Sequence, residues 1–85
     1  MIEDYVKHPE EITVFLMDGG EVSISYSDFE KYLKDNNFLY YEEHTADSYK
    51  SYNLSLEDYF NWTGYEEIME DLFQYLVETK FYLFN

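Results

Sequence analysis

Residues 11–26 read EITVFLMDGGEVSISY, and the fold is decided in this stretch. Two apolar runs flank residues 18–20, and Asp-Gly and Gly-Gly pairs supply the positive φ angles of tight hairpin turns. The second run alternates apolar residues with serines, which is typical of a strand with one solvated face. The first run is apolar on both faces, which favours a more central strand. The sequence therefore predicts an antiparallel β-hairpin of residues 11–17 and 21–26.

Helix signals follow the hairpin. Ser27 and Glu30 have the spacing of a capping box, which opens a short helix that ends near residue 35. Its inward face carries Phe29, Tyr32 and Leu33. Aromatic residues then recur through a predicted third strand. The next stretch is polar and is predicted as a loop or a ragged fourth strand. These two segments are residues 38–45 and 46–53.

Two further caps precede the end of the chain. Ser55 begins a short helix that ends near residue 61, and Thr63 with Glu66 begins a long amphipathic helix over residues 65–80. Residues 81–85 are apolar enough to pack down, and residues 1–11 are predicted as a polar lead-in in which Pro9 blocks a continuous helix. The predicted architecture is one acidic α+β domain, residues 1–85. Its hairpin and third strand pack with helices in the order β-β-α-β-α-α.

The amino-acid composition limits the classes of function that this protein can have. The 85 residues contain 19 Asp and Glu against five Lys and no Arg, for a formal net charge of −14, yet 22% are aromatic. Aromatic content of this kind argues against disorder. The charge excludes ordinary nucleic-acid binding, which needs a basic surface. Without cysteine there is no disulfide or thiolate site. With no long apolar run and no signal peptide, we expect no membrane association and a cytoplasmic location.

Catalytic and metal-binding patterns are missing from the sequence. It has no glycine-rich phosphate loop, nucleophile elbow or Cys/His pair, and its many carboxylates make any single pair uninformative. His8 and His44 are the only histidines, too few for a zinc site even with Glu42 on the same strand face as His44. The calcium-loop pattern is absent too. We therefore expect no enzyme, no cofactor and no metal site.

The last predicted helix has an acidic face. At 100° per residue, its apolar side chains gather on one side and six polar ones fall within an arc of about 140° on the other. These six are Glu66, Glu67, Glu70, Asp71, Gln74 and Glu78. Like charges at i,i+4 destabilise a helix, whereas Glu30 and Lys34 in the first helix form a favourable pair. The face is either a binding stripe for a basic surface or simply a solvated face.

Other pairs of acidic residues and a cluster of tyrosines support the hypothesis of a binding surface. Tyrosine suits interfaces because it offers area at low entropic cost and can hydrogen-bond. The tyrosines at positions 40, 41, 49, 52 and 59 lie in a short acidic stretch, and we do not expect all of them to be buried. The predicted partner-binding residues are Glu66, Glu67, Glu70, Asp71, Glu78, Glu57, Asp58, Glu42, Glu43 and Tyr59.

A short chain with this charge, no Arg, no Cys and acid-lined helices resembles the DNA-mimic inhibitors of phages and mobile elements. These include anti-restriction proteins, inhibitors of uracil-DNA glycosylase and anti-CRISPR proteins. The resemblance covers the whole chain in composition and involves no motif. It implies an inhibitor that binds a basic, nucleic-acid-binding host enzyme rather than nucleic acid, in the host cytoplasm if the chain is phage-encoded. A neutraliser of a basic toxin would use the same physics.

The alternative interpretation is a protein-interaction or assembly module, such as a small subunit or a homodimer. The excess of aromatic residues and the apolar residues 81–84 support it. In that case the negative charge only keeps the protein soluble.

Overall fold

The computed structural model describes residues 2–79, which form five strands and three helices. The strands are β1 (Ile2–Lys7), β2 (Glu11–Leu16), β3 (Glu21–Ser25), β4 (Tyr40–His44) and β5 (Tyr49–Asn53). The helices are α1 (Tyr26–Asp35), α2 (Leu56–Trp62) and α3 (Tyr65–Thr79). The α+β class and the long final helix are confirmed. The order of elements is β-β-β-α-β-β-α-α, so the predicted order lacked two strands. The predicted packing of residues 81–85 lies outside the described residues.

The predicted hairpin is the centre of a three-stranded antiparallel sheet with the order β1-β2-β3. Strand β2 is central, as its two apolar faces indicated, and it buries Ile12, Val14 and Leu16. In the turn between β2 and β3, Gly19 has a φ of 94°, and the N–H of Leu16 donates to the carbonyl of Gly20 at 2.8 Å. The positive φ explains why glycine suits this turn.

Strand β1 corrects the predicted polar lead-in. It pairs with β2, and its register shifts between Ile2 and Asp4. A bulge of this kind adds one residue and breaks the two-residue alternation. Ile2 and Tyr5, three positions apart, are therefore both half-buried among exposed neighbours. Pro9 lies in the connection between the two strands, where it removes no ladder hydrogen bond.

Strands β4 and β5 form a separate two-stranded antiparallel sheet. Of the two predictions for residues 46–53, a loop or a ragged fourth strand, the structure bears out the strand, which is regular over Tyr49–Asn53. The predicted third strand, residues 38–45, contacts the core at its start, where the ring of Phe38 lies against that of Tyr32 on α1. Every residue of both strands is exposed. The pair joins the rest of the protein at its base, where Leu39 is buried and its carbonyl accepts from the N–H of Leu54 at 2.8 Å.

The helices begin and end at local signals close to those predicted. Ser25, rather than Ser27, caps α1, and its hydroxyl accepts from the N–H of Asp28. Asn37 adopts a positive φ of 60° after the last turn, and the N–H of Phe38 donates to the carbonyl of Leu33 at 2.8 Å. This is the Schellman pattern, in which a left-handed residue closes the helix. Helix α3 begins after Gly64, one residue later than a cap at Thr63 would require.

One core joins the three-stranded sheet to the helices. Phe29 of α1 is completely buried and lies against the rings of Tyr59, Phe60 and Tyr75 from α2 and α3, with centroids 5.8–6.3 Å apart. Such ring pairs contribute beyond their buried area. The other fully or nearly buried side chains of this core are Ile12, Val14, Leu16, Ile24, Tyr32, Leu33, Leu39, Ile68, Leu72 and Leu76. Within residues 2–79, no helix combines the length and the apolar composition needed to cross a bilayer.

Candidate acidic partner-binding surface

Helix α3 presents its predicted acidic face to solvent. Its opposite face buries Ile68, Leu72, Tyr75 and Leu76 in the core, which fixes the rotation of the helix. The side chains of Glu66, Glu67, Glu70 and Glu78 are consequently exposed. The 3.6-residue period therefore placed four of the five predicted carboxylates of this face correctly in solvent, Asp71 being the exception.

The carboxylates of this face lack cationic partners within the described residues. Over residues 2–79, the ion pairs are Lys34 with Glu30 at 3.4 Å and the histidine pair of His44 with Glu42 at 3.2 Å. The first is the pair predicted in α1. Lys7 lies over the ring of Phe60 instead, 4.7 Å from its centroid. The negative charge of α3 is thus left for an external cation to neutralise.

Tyr59 and Asp71 do not belong to the exposed face. Tyr59 is only 3% exposed, so its predicted role in partner contact is wrong: it is a core residue. Its hydroxyl donates to Asp71 Oδ2 at 2.5 Å, and Asp71 itself is half-buried. Burial raises the pKa of Asp71, the hydrogen bond from Tyr59 opposes this, and the charges of Glu67 and Glu70 add to the rise. The hydrogen bond from Tyr59 of α2 therefore gives Asp71 of α3 a structural role.

Asp58 also has a structural role. Its N–H donates to Ser55 Oγ at 3.1 Å, and its carboxylate accepts from the N–H of Ser55 at 3.4 Å, which completes the capping box of α2. The neighbouring Glu57 is exposed in the same first turn. The helix dipole favours both charges at this end. Of this pair, Glu57 is the one free to meet a partner.

Glu78 lies beside the core residue Tyr32. Burial, followed by the neighbouring Glu78 carboxylate, raises the pKa of Tyr32 to about 12. The phenol therefore remains protonated at neutral pH. Glu78 extends the exposed acidic face towards the C-terminal end of α3, and with Glu66 it spans about 18 Å of helix at 1.5 Å per residue.

Glu42 and Glu43 occupy opposite faces of the β4–β5 pair because successive strand residues alternate. Both are exposed, and their hydrogen-bond partners in the described chain come from the same two strands. They form a second acidic region, distinct from α3. The sequence indicated the residues of this region but not the two-stranded arm that carries them.

A groove beside α3 was missed by sequence reasoning. It has a volume of about 450 Å³ and is lined by Ile2 of β1 and by Met69 and Phe73 of α3, with Glu66 and Glu70 among its other lining residues. An apolar floor with carboxylates alongside suits a side chain that combines a hydrocarbon stem with a cationic head. The signal was hidden because β1 was not recognised as a strand.

One wall of the groove is held by Tyr65. Its ring stacks on Tyr5 with centroids 5.5 Å apart, and its hydroxyl donates to the carboxylate of Asp4. That hydrogen bond lowers the pKa of Asp4 and raises the pKa of Tyr65 to about 12. Strand β1 and the start of α3 are therefore joined by both a ring contact and a charged hydrogen bond.

These surfaces can accept hydrogen bonds and charge but do not assemble a metal site in the described chain. Over residues 2–79, no three His, Asp or Glu side chains come together in a way that holds a metal ion. Comparisons with protein-family models, with curated proteins and with solved structures give no match to this chain.

Proposed function

We propose that this protein is an acidic binding protein that inhibits a nucleic-acid-binding host defence enzyme, such as a CRISPR effector or a restriction enzyme. It would do so by presenting carboxylates where the enzyme normally meets phosphates. The inhibitor would act in the cytoplasm of the host cell. Its partner would be a basic protein, with no direct contact between the inhibitor and nucleic acid.

The observation that carries the proposal is the exposed, unneutralised acidic face of α3. Glu66 and Glu70 are i,i+4 neighbours of like charge, an arrangement that costs stability rather than adding it. A solvated face needs no such arrangement, since alternating Glu and Lys would also be solvated and would stabilise the helix. A basic partner would neutralise these carboxylates, and the relief of their repulsion would increase the affinity of the complex.

The physics of DNA recognition supports this partner class. DNA carries one negative charge per roughly 1.7 Å of axis, and proteins that bind it place Lys and Arg along that charge density. On α3, the exposed Glu66 and Glu70 are about 6 Å apart along the helix axis, and Glu78 lies about 12 Å further on. Long cationic side chains can reach both patterns, and electrostatic attraction would speed encounter with such a surface.

The experiment is a capture assay from bacterial lysate with immobilised protein, at low and at moderate salt, with and without duplex DNA. We expect a nucleic-acid-handling enzyme to be captured at low salt and released by DNA, because the two compete for one surface. The purified enzyme is then assayed for inhibition. Capture that resists both salt and DNA would contradict the proposal.

A matched pair of variants separates a specific face from net charge. Glu66→Gln/Glu67→Gln/Glu70→Gln removes three charges from α3. Glu10→Gln/Glu11→Gln/Glu21→Gln removes three exposed charges from the strand region. We expect only the α3 variant to lose capture and inhibition by about tenfold or more, as loss of three charged contacts implies. Equal losses in both variants would indicate a diffuse charge effect.

The alternative of an assembly module is favoured by the tyrosines of β4 and β5. Tyr41 and Tyr49 remain 52% and 56% exposed, a degree of aromatic exposure that suits an interface. Light scattering tests this alternative directly. A particle of twice the 10.4 kDa chain mass at micromolar concentration, together with failure to capture a basic protein, would favour a homodimer.

A further inference from the structure

The β4–β5 pair and its loop, residues 40–53, are here called the tyrosine hairpin. All ten of its strand residues are exposed, including Tyr40 (42%), Tyr41 (52%), Tyr49 (56%) and Tyr52 (41%). An isolated two-stranded hairpin is marginally stable in water, and clustered exposed rings mark interaction sites. The tyrosine hairpin therefore needs a source of internal order and leaves an aromatic surface to be explained.

One face of the tyrosine hairpin supplies that order. Glu42 Oε1 accepts from the hydroxyls of Tyr40 at 2.7 Å and Tyr49 at 2.9 Å, and Glu42 Oε2 lies 3.2 Å from Nε2 of His44. The hydrogen bonds, that from Tyr40 first, lower the pKa of Glu42, so the carboxylate stays ionised. Since most of its acceptor positions are occupied from within, this face acts as a brace across the two strands.

The other face is open. It carries the cross-strand neighbours Tyr41 and Tyr52, whose ring centroids lie 5.9 Å apart at an interplanar angle of 30°. Next along the face, Glu43 stands opposite Lys50 in the register, and within residues 2–79 no ion pair joins them. The hydroxyl of Tyr52 approaches Glu43 at 3.4 Å, a long hydrogen bond. The result is a pair of exposed rings beside an available carboxylate.

We propose that this open face binds an arginine side chain of a basic partner protein, with the guanidinium lying on the Tyr41–Tyr52 rings and donating to Glu43. The inference rests on the proposed function for the partner's basic character and adds the chemistry of the residue recognised. A guanidinium is planar, stacks on aromatic rings and donates in a fork to a carboxylate. A lysine ammonium is a compact, strongly hydrated charge and matches the rings less well.

A second copy of the chain does not fit as the occupant. The sequence contains no arginine, and each copy has a formal net charge of −14. Joining two open faces would bring two strongly negative chains together, and the one cation that each face offers, Lys50, is a compact ammonium that suits the ring pair less well than a guanidinium. The negative charge of the whole chain and the exposed ring pair together favour an arginine-bearing protein.

The test compares octa-arginine with octa-lysine by isothermal titration calorimetry against the full chain. Both peptides carry the same charge, so the ratio of their affinities reports what the guanidinium adds to simple attraction, namely stacking and forked hydrogen bonds. We expect octa-arginine to bind more tightly by roughly fivefold, as two exposed cation–π contacts imply. Equal affinities would overturn the inference.

The variant Tyr41→Thr/Tyr52→Thr removes the rings and keeps β-branched residues that suit a strand. It should abolish the preference for octa-arginine and leave octa-lysine binding unchanged. Trp62→Ser, which deletes a ring 71% exposed on α2, is the control and should keep the preference. Amide shifts in the wild type give a readout independent of any variant: octa-arginine must perturb residues 40–53, and their silence would overturn the inference.

The α3 variant keeps the two hypotheses apart. Glu66→Gln/Glu67→Gln/Glu70→Gln should weaken both peptides equally and leave their ratio intact. If only the tyrosine substitutions abolish the preference for octa-arginine, the tyrosine hairpin recognises arginine whether or not α3 is the main site for a basic partner. If the α3 variant binds both peptides as the wild type does, the α3 site fails while the ratio still decides the arginine inference.

Discussion

The hydrogen bond from Tyr59 to Asp71 ties α2 to α3 at the edge of the core. Tyr59→Phe would leave the half-buried carboxylate without this donor, and a bond to a charged group of this kind contributes about 1–2 kcal/mol after allowance for the exposed side of Asp71. We expect the free energy of unfolding in urea to fall by that amount. Tyr65→Phe, whose hydroxyl meets the exposed Asp4, is the control and should cost less. A larger loss in the control would contradict this ranking.

Tyr59 also shows what a sequence cannot place. Four exposed tyrosines precede it in the chain, and neither the residue type nor the local sequence distinguishes Tyr59 from them. Its burial comes from the packing of Phe29 and from the position of Asp71, twelve residues later in the chain. Such contacts depend on how α2 and α3 pack together, which local periodicity does not contain. Where the core partner lies in the same helix period, as for Phe29 in α1, prediction succeeded.

Asn37 carries the second residue-scale prediction. Its φ of 60° lies in the left-handed region, where a Cβ is unfavourable and glycine is not strained. Asn37→Gly should therefore raise the free energy of unfolding by about 0.5 kcal/mol, and Asn37→Ala should lower it by about 1 kcal/mol. Urea denaturation of the three proteins measures the order Gly, Asn, Ala. An alanine variant as stable as the wild type would indicate that the α1 terminus relaxes to another conformation.

At the scale of elements, a strand could be predicted only where its sequence has a recognisable pattern of apolar residues. Strand β3 alternates apolar residues with serines, and β2 is apolar on both faces as a central strand should be, so both were predictable. Strand β1 lost its alternation to the bulge between Ile2 and Asp4. Strand β5 buries nothing, so no apolar period exists to be read. The groove depends on β1, which was not predicted, and the tyrosine hairpin depends on β5, which was predicted only as one of two alternatives.

Helix α3 could be predicted from the sequence because one of its faces is apolar and the other is acidic. The acidic face leads to the third prediction. Glu70→Lys turns the Glu66–Glu70 repulsion into an attraction with Glu at the N-terminal position, the favourable order. We expect the free energy of unfolding to rise by roughly 0.5 kcal/mol. Glu70→Gln, which only removes the repulsion, should gain about half as much. A destabilised Glu70→Lys variant would mean that Glu70 has a structural role at the groove.

The same substitution should weaken binding to a basic partner while it strengthens the fold. If the face served only for solubility, the substitution would raise stability without lowering the affinity for any partner. Stability and affinity measured on one variant therefore distinguish a functional acidic face from a solvated one.

For the whole molecule, the formal net charge of −14 on 85 residues makes the fold sensitive to pH and salt. Two exposed carboxyls, Asp4 and Glu42, have lowered pKa values because they accept hydrogen bonds. Their stabilisation is present above their unfolded pKa values and is lost as the pH falls through their folded ones. Asp71 behaves oppositely: its folded pKa is raised chiefly by burial, so it binds a proton more readily in the folded chain.

The sign of these shifts gives the fourth prediction. Acidification from neutrality towards the ordinary pKa of aspartate should raise the urea midpoint, because the raised pKa of Asp71 lets it take up a proton in the folded chain before it would in the unfolded chain. Further acidification, through the lowered pKa values of Asp4 and Glu42, should lower the midpoint, because these two carboxylates then lose their charge. Salt at about 0.5 M screens the surface repulsion but hardly the burial of Asp71. The slope that remains in salt therefore belongs to Asp71, and Asp71→Asn, which can still accept from Tyr59, should remove it. A slope that salt abolishes in the wild type would show instead that surface repulsion alone sets the response, and that Asp71 titrates in the folded protein as it does in the unfolded chain.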